Sequence, residues 1–370
     1  MNPDWQQFLQ QNSATLKDGK VAYFADPDHE LSQYQADNLL CDLSHLDLLS
    51  ITGAEAKLFL QGQLTCDLEQ IDESQFQLGA FCNPKGRTIA SFRLFRVGDE
   101  YLLQTPPQMG AVIQQALNKY IIFSKAETQL NTNQWVCFGL MGAQAQDLLE
   151  SAIPSLTAPT NPNGISVCSH NDTKSDTTNT NTTTNTNANA DFQGVRIIRD
   201  FGRYPRYLII APAEKAIQLW QQLTPHCTPC GNELWALRDI LEGYAQITPT
   251  ISEQWLPHNL NYQAIQAINF KKGCYTGQEV IARMEYRGKL KTQMFIAYAN
   301  LSSPPKQGQA LINSETGKSQ GEIINACRIT PDRYALLVSL PKEAINSSVY
   351  KIDNNESASI KLEAVPYAIT

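Results

Sequence analysis

The feature that most constrains the fold is a change of pattern at Lys289. Beyond this residue, short segments rich in Val, Ile, Leu and Tyr follow one another, separated by Gly, Pro or Asn, and no helical periodicity interrupts them. Short strands with turn residues between them are typical of a small barrel or sandwich. The sequence therefore predicts a β-rich terminal domain over residues 289–370.

The preceding part of the chain mixes strand and helix patterns. DLLSIT at 47–52 reads as a strand, and GAEAKLFLQGQL at 53–64 reads as a helix. The stretch at 76–97 predicts a hairpin, because the Asn-Pro-Lys-Gly run at 83–86 has Pro and Gly where a type I turn favours them. A further strand, EYLLQT, precedes a helix from about 107 to 125. Strands that return after helices predict compact α+β layers.

One stretch, at 169–191, has the composition of a disordered segment. Asn and Thr alternate there with almost no apolar residue, so no core can offset the entropy lost on ordering. Strand-like segments flank it on both sides. We therefore expect a disordered surface insertion at this point.

Composition and charge limit the classes of function. The 370 residues, 42% of them hydrophobic, provide material for two or three domains, and the net charge of −7 does not favour nucleic-acid binding. No apolar run approaches the ~20 residues that span a bilayer, and the first residues do not resemble a secretory signal. The nine cysteines are scattered and odd in number, which favours free thiols in a reducing compartment. These features predict a soluble cytoplasmic protein without direct nucleic-acid or membrane binding.

The segment INFKKGCYTGQEVIARMEYRGKLK, at 268–291, surrounds Cys274 with features that favour a thiolate. Lys271 and Lys272 precede the cysteine, and Thr276 is placed to cap a helix with Gln278 and Glu279 in its first turn. Cations and a helix N-terminus both lower the pKa of a thiol. No His or Asp nearby supplies a base, so a solvated turn with an incidental cysteine is the alternative.

A second candidate site lies in ELWALRDILEGYAQ, at 233–246. On a helix, Trp235, Arg238, Asp239 and Glu242 share one face, opposite an apolar stripe formed by Leu237, Ile240, Leu241 and Tyr244. A carboxylate beside an aromatic ring suits a flat heterocycle with adjacent N–H donors. The alternative is an exposed helix face with an Arg238–Glu242 ion pair.

Cys227 and Cys230 form a lone C-x-x-C pair. Such a pair is typical of a redox site or of half a metal site. No second pair follows at zinc-finger spacing, and the five histidines are widely spread. The sequence therefore predicts no metal centre, and a thiol-redox protein is the weaker hypothesis.

KKGCYTGQE, at 271–279, resembles the signature of the YgfZ family of folate-binding proteins, which are described as tRNA-modifying and tied to iron–sulfur cluster assembly or repair. Their wider relatives are the aminomethyltransferases (T-proteins) of the glycine cleavage system. Other blocks resemble the family in the same order, namely CDLSH, ITGAEAKLFLQGQLTCDL, CNPKGRTIASFRLFR and LRDILEG. The resemblance spans residues 39–291 apart from the Asn/Thr insertion.

The resemblance implies an α+β fold, a three-domain aminomethyltransferase-like ring around a central folate pocket. Residues 1–50 and 133–225 would form the first, discontinuous α+β domain. Residues 51–132 and 226–288 would form the second, interleaved α+β domain, which carries the folate-pocket and cysteine motifs. Residues 289–370 would form the small β-barrel.

The resemblance also implies a function. Glu242 matches the glutamate that holds the pterin of tetrahydrofolate in the transferases, with Trp235 and Arg238 as neighbours. Cys274 matches the signature cysteine and is the candidate catalytic thiolate, and Lys272 is the second candidate catalytic residue. The implied protein binds tetrahydrofolate, supports iron–sulfur cluster assembly or repair, and affects tRNA modification through iron–sulfur enzymes. Its implied partners are folate and those enzymes or their assembly factors. A run of basic residues follows: Arg283, Arg287, Lys289 and Lys291. Three roles stay open for it, namely binding a protein partner, binding the tail of the folate, or keeping the protein soluble.

A second hypothesis is a folate-dependent aminomethyl or one-carbon transferase of the T-protein type. The transferases carry acidic residues in the strand after the Asn-x-x-Gly turn, where this sequence has Ala90 and Ser91. Neither side chain can take a proton from the folate amine or stabilise positive charge near it. This departure predicts that the protein is not a classical enzyme of that type.

Overall fold

The structure is a computed structural model that describes residues 1–24, 26–33, 38–168, 192–347, 349–353 and 355–369. The Asn/Thr insertion at 169–191 lies outside the described residues, so its predicted disorder stays a prediction.

The helices follow one another along the chain as short to medium elements. They are α1 (Pro3–Gln11), α2 (Pro27–Ser32), α3 (Ala56–Gln61), α4 (Met109–Ile121), α5 (Ala145–Ala152), α6 (Ala213–Leu223), α7 (Glu233–Leu241), α8 (Gln278–Arg287) and α9 (Ala344–Ser347). Within the described part of the chain, none of these helices combines the length and the apolar character needed to cross a membrane.

The strands account for most of the ordered framework. They are β1 (Ala14–Lys17), β2 (Lys20–Phe24), β3 (Asn38–Asp42), β4 (Asp47–Thr52), β5 (Gln77–Cys82), β6 (Thr88–Val97), β7 (Glu100–Thr105), β8 (Glu127–Leu130), β9 (Val136–Gly142), β10 (Ile165–Val167), β11 (Arg196–Arg199), β12 (Arg206–Ala211), β13 (Thr228–Cys230), β14 (Thr292–Asn300), β15 (Ala310–Asn313), β16 (Ser319–Thr330), β17 (Arg333–Pro341), β18 (Tyr350–Ile352) and β19 (Asn355–Glu363).

The chain divides into two compact units, each built from three separate segments. Unit 1 comprises Met1–Ala25, Ala36–Ser44 and Asn133–Gly231. Unit 2 comprises Asp26–Gln35, His45–Thr132 and Asn232–Thr370. The finer division into three domains, with the boundaries given above, stays a prediction.

Unit 1 is organised around a six-stranded sheet with the strand order β10-β11-β12-β9-β3-β13. Helix α6 packs on β9 and β12 because its apolar residues recur at helical spacing and are buried at Ala216, Leu219, Trp220 and Leu223. The rings of Trp5, Phe138 and Trp220 lie with centroids 5.3, 5.5 and 5.9 Å apart. This cluster joins α1, α6 and the sheet in one core.

Unit 2 contains a five-stranded sheet with the order β5-β6-β7-β4-β8. The hairpin predicted at 76–97 is present as antiparallel β5 and β6, and the N–H of Gly86 donates to the carbonyl of Asn83 across 2.9 Å. Along β6, alternate residues Ala90, Phe92 and Leu94 enter a core shared with α3 and α4. The mixed α+β layers predicted from the sequence are confirmed.

Unit 2 also contains the β-rich end of the chain. Its strands close into a barrel with the order β14-β17-β16-β15-β18-β19, and β19 pairs with β14 to complete it. Inward-facing residues of β14 and β17 alternate with outward-facing ones, and Phe295, Ala297, Leu336 and Val338 lie in the barrel core. The small barrel predicted from the short, closely spaced strands is confirmed.

Candidate functional site

Cys274 lies in an exposed turn of unit 2, four residues before the start of α8. Its neighbour Tyr275 is buried, so the turn is fixed to the body of the unit while the thiol points outward. The other cysteines are buried or, in the case of Cys227, half-buried. The structure therefore leaves Cys274 as the exposed thiol of the protein, and its role as a functional thiolate stays a prediction.

Lys272 anchors the turn. Its side chain is only 8% exposed, and its ammonium donates hydrogen bonds of 2.6 Å to the carbonyls of both Leu64 and Cys66. The same ammonium lies 5.2 Å from the centre of the Tyr275 ring. Lys272 thus ties the turn to the loop after α3, and a catalytic role for it stays a prediction.

Further hydrogen bonds join the segment before Cys274 to the loop after α3, as Lys272 does. The N–H of Asn269 donates to the carbonyl of Thr65 at 2.8 Å, and the hydroxyl of Thr65 donates to the carbonyl of Ala267 at 2.7 Å. The side-chain oxygen of Asn269 accepts from the N–H groups of Lys271 and Lys272 at 2.7 and 3.0 Å. These bonds fix the backbone that leads into the turn of Cys274.

The start of α8 differs from the prediction that Thr276 caps this helix. The N-cap is Gly277, with φ of 83°, and it makes no side-chain cap hydrogen bond. The hydroxyl of Thr276 instead lies 3.4 Å from the side-chain oxygen of Gln63. The prediction was wrong because the chain turns at Gly277 to pass the carbonyl of Asn83, where a Cβ atom would lie only 2.5 Å from that oxygen. Gln278 and Glu279 do occupy the first turn.

Changing Gly277→Ala should lower the free energy of unfolding by about 1–3 kcal/mol, because alanine is strained at positive φ and its Cβ would meet Asn83. Gly273→Ala is the matched control, since nothing lies within 4 Å of its Cβ position and its φ is not positive. The control should leave stability unchanged or slightly raised. Urea denaturation measures the free energy of unfolding of both variants. Equal losses of stability in Gly277→Ala and Gly273→Ala would contradict the strain described at Gly277.

Three of the blocks that resemble the YgfZ family meet at this turn. The cysteine signature contacts the block at 51–68 through Lys272 and Thr276. It contacts the block at 82–96 where Gly277 passes Asn83 and Gly86. Residues far apart in the sequence therefore build one rigid support beneath a single exposed thiol.

Burial lowers the pKa of Lys272 from 10.5 to about 8, although Cys66 and Asp67 nearby partly oppose the shift. Between those two pH values the unfolded chain holds a proton that the folded chain has lost, so stability should rise with pH across this window. The contribution is no more than about 3 kcal/mol. Lys272→Met should remove this rise, which urea denaturation from about pH 7 to pH 10 would detect. The same pH dependence in both proteins would contradict the burial of a charged amine.

The second candidate segment forms α7, and its polar face is not exposed. Trp235 is buried, Arg238 is half-buried, and Glu242, the C-cap residue, is only 7% exposed. The interpretation as an exposed face is wrong because α7 is packed inside unit 2, with Asp239 of this face paired with Arg93 of β6 and the helix also in contact with β16 and β17. Gly243, with φ of 72°, ends the helix, so Tyr244 of the expected apolar stripe lies beyond it.

Asp239 forms a buried ion pair that was not predicted from the sequence. Its carboxylate lies 3.2 Å from the guanidinium of Arg93 on β6, and each side chain is 4% exposed. Arg93 also lies 4.9 Å from the centre of the Tyr244 ring, and Gln246 donates to the second carboxylate oxygen of Asp239. The available signal was an arginine within the apolar strand SFRLFR, because a guanidinium that becomes buried needs an acid. The pair fixes α7, and with it Glu242, to the five-stranded sheet.

The two positions that depart from the transferase pattern are both fully buried. Ala90 lies in the hydrophobic core beneath β6, and the hydroxyl of Ser91 accepts a 3.0 Å hydrogen bond from the N–H of Ile247. Ser91 thus has a structural partner in the backbone. Neither position supplies a carboxylate.

Exposed basic residues lie before and after Cys274 along the sequence. Helix α8 buries only Ile281, and its last turn exposes Tyr286. The basic segment consists of the exposed residues Lys271, Arg283, Arg287, Lys289 and Lys291. Because the whole chain has a net charge of −7, this local surplus of positive charge is a distinct electrostatic feature of unit 2.

The C-x-x-C pair lies in unit 1, whereas the two candidate sites lie in unit 2. Cys227 is half-buried and Cys230 is buried, and the sulfur of Cys230 faces Cys41. Among the residues that the structure describes, no group of three or more His, Cys, Asp or Glu side chains is arranged to hold a metal ion.

The fold belongs to the class of the glycine-cleavage aminomethyltransferases. Residues 6–163 match the family model described as the GCVT N-terminal domain. The crystal structure of the glycine cleavage system aminomethyltransferase T from Bartonella henselae aligns with a TM-score of 0.74, covering 99% of this chain and 97% of that chain at 15% sequence identity. At this identity the likeness establishes the fold, not the activity.

Within that class, the chain is similar to curated proteins named tRNA-modifying protein YgfZ. The protein from Vibrio vulnificus strain YJ016 is 29% identical over 330 residues, which cover 88% of this chain and 91% of the relative. The protein from Cronobacter sakazakii is 27% identical over 334 residues, which cover 89% and 93%. The resemblance to the YgfZ family that the Cys274 signature predicted is therefore confirmed.

Proposed function

We propose that this protein binds tetrahydrofolate and uses Cys274 to support the assembly or repair of iron–sulfur clusters in other enzymes, including enzymes that modify tRNA. The observation that carries the proposal is the exposed thiol of Cys274 on a turn that is anchored at several points. A rigid support beneath a free thiol keeps the sulfur available to a partner. The name of the curated relatives supports the connection with tRNA.

The folate part of the proposal rests on the fold class and on the side chains at the end of α7. A carboxylate accepts two adjacent N–H donors, which is the pattern on the edge of a pterin, and Glu242 provides such a carboxylate in mostly buried surroundings. Trp235 and Arg238 are the neighbouring aromatic and cationic groups. Their chemistry fits a folate, which would supply a one-carbon carrier when bound. The protein's own contribution would be to orient the ring and limit its exposure to water.

The part played by Cys274 follows from thiol chemistry. A thiolate is the form that binds iron or attacks a disulfide, and positive charge nearby favours it. Lys271, an exposed residue three positions before Cys274, supplies such charge, whereas the ammonium of Lys272 is directed to the carbonyls of Leu64 and Cys66. We therefore assign the role of reactive thiolate to Cys274 and a positioning role to Lys272. The iron–sulfur cluster is the cargo of a partner enzyme.

The charge distribution favours a protein partner over RNA. The basic segment is local, and the chain as a whole has a net charge of −7, so a large polyanion would meet repulsion beyond the segment. An iron–sulfur enzyme or assembly factor with an acidic patch of matching size meets no such penalty. The effect on tRNA would then be indirect. The nine free cysteines support a reducing, cytoplasmic location for this work.

The rival hypothesis of an aminomethyl transferase has less support. Ala90 and Ser91 are fully buried and carry no carboxylate, so the acid that the transferases use is missing from these positions. Detectable turnover of tetrahydrofolate with an aminomethyl donor would favour this rival over the accessory role.

The test is to express the chain in a bacterial strain that lacks its own YgfZ protein. The proposal predicts restored activity of iron–sulfur enzymes and restored levels of the tRNA nucleosides that such enzymes make, measured by mass spectrometry. A chain that is soluble and folded but restores neither would contradict the proposal. Restored tRNA nucleosides without restored iron–sulfur enzyme activity would contradict its iron–sulfur part.

A further inference from the structure

Two buried cysteines of unit 1 lie against each other, outside the site described above. Cys41 belongs to β3 and Cys230 to β13, and these parallel strands place the two residues directly opposite each other. Both side chains are fully buried, and their sulfur atoms are 3.0 Å apart. Along the sequence they are 189 residues apart.

We propose that Cys41 and Cys230 are a redox modification site at which a reversible disulfide forms. Adjacent strands of a sheet lie about 4.8 Å apart, which is within the ~4.4–6.8 Å that separates the Cα atoms of a disulfide. The sulfur atoms must approach each other by about 1 Å to reach the ~2.05 Å of an S–S bond. Side-chain rotation supplies a movement of this size without displacing either strand.

The alternative pairing within the C-x-x-C motif does not fit the backbone. Cys227 has extended dihedral angles, with φ of −138° and ψ of 151°, and the residues up to Cys230 continue as strand β13. Three extended residues span about 10 Å, whereas Cα atoms more than ~7 Å apart cannot be bridged without backbone movement. Cys230 therefore pairs with Cys41 and not with Cys227.

Oxidation of this buried pair requires the edge of the sheet to open. Strand β13 has three residues and lies at the end of the strand order, paired with β3. Cys227, immediately before it, is half-buried. Short edge strands open locally more easily than central ones. Brief separation of β13 from β3 would expose both sulfurs, so oxidation is slow and depends on this opening.

The reaction balances with a low-molecular-weight disulfide, such as oxidised glutathione, as the oxidant. One cysteine thiolate attacks a sulfur of the glutathione disulfide, which breaks its S–S bond and releases one glutathione. The second cysteine then attacks the mixed disulfide and releases the second glutathione. The two thiol protons end on the two glutathione molecules, and the cysteine pair has lost two electrons. The bridge would join β13 covalently to β3.

The test uses the full native chain incubated in glutathione buffers from reducing to oxidising. Samples are quenched with acid, denatured, alkylated with N-ethylmaleimide, digested and analysed by mass spectrometry. We expect a cross-linked peptide that joins Cys41 to Cys230 in oxidising buffer and disappears after dithiothreitol. Full alkylation of both cysteines in every buffer would overturn the proposal, as would a bridge between Cys227 and Cys230.

Two variants complete the test. Cys227→Ser should form the bridge as the wild type does, because Cys227 is not a member of the pair. Cys230→Ser should give no cross-linked peptide at Cys41 in any buffer, because Cys41 is then either alkylated or joined to a single glutathione; circular dichroism is the check on folding. Loss of the bridge in Cys227→Ser would also contradict the assignment. The readout is a mapped covalent bond in unit 1, so it is independent of the function proposed for unit 2.

Discussion

Asp239→Ala is expected to lower the free energy of unfolding by about 3–5 kcal/mol, because it removes the carboxylate that is ion-paired with the buried guanidinium of Arg93. The ion pair is 3.2 Å long, and both side chains are 4% exposed. Gln246 also donates a hydrogen bond to Asp239, and the ring of Tyr244 lies beside Arg93. The loss should appear as a lower urea midpoint.

An exposed ion pair in the same unit provides the control. Lys57 and Glu69 are 2.6 Å apart, but their side chains are 42% and 66% exposed. Lys57→Met should therefore cost no more than about 1 kcal/mol. Combining Arg93→Met with Asp239→Leu should recover much of the stability that Asp239→Ala loses, because neither charge of the pair then stays buried. A loss in the free energy of unfolding that is as small for Asp239→Ala as for Lys57→Met would contradict the role of the Arg93–Asp239 pair in holding α7.

Cys274→Ser is expected to abolish rescue of the strain that lacks YgfZ, down to the level without any added protein. Serine keeps the size of the side chain but cannot form a thiolate at neutral pH. Because Cys274 is exposed, the free energy of unfolding should change by no more than about 0.5 kcal/mol. Rescue is measured as iron–sulfur enzyme activity and tRNA nucleoside content.

Cys227→Ser is the matched control for that substitution, since Cys227 is the other cysteine with some exposure and lies in unit 1. It should rescue fully. A Cys274→Ser protein that rescues as well as the wild type would show that the thiol is not the working group. Equal loss with both variants would mean that the effect is not specific to Cys274.

The parts of the fold that depend on local pattern could be predicted from the sequence. The hairpin of β5 and β6 follows from alternating apolar residues around a Pro- and Gly-containing turn, and the barrel from closely spaced strands. Both signals lie within a few residues of the elements they determine. For the same reason, the first turn of α8 could be placed correctly at Gln278 and Glu279.

The features that the sequence did not reveal depend on distant partners. Thr276 is a good capping residue in isolation, and only the approach of Asn83 shows why Gly277 holds that position. The pairing of Arg93 with Asp239 joins residues 146 positions apart. The burial of the polar face of α7 depends on packing against elements that are distant in sequence, including β6, β16 and β17. Helix periodicity identifies the faces of α7 but not which of them another element covers.

The measurement that tests the central claim most directly is a calorimetric titration of tetrahydrofolate into the wild-type protein and Glu242→Ala. A hydrogen-bonded charged group contributes about 1.5–3 kcal/mol, so the variant should bind about 10- to 100-fold more weakly. Glu233→Ala, at the exposed start of the same helix, is the control and should bind as the wild type does. Wild-type protein that gives no heat of binding, or equal affinity in Glu242→Ala and wild type, would contradict a folate site at this carboxylate.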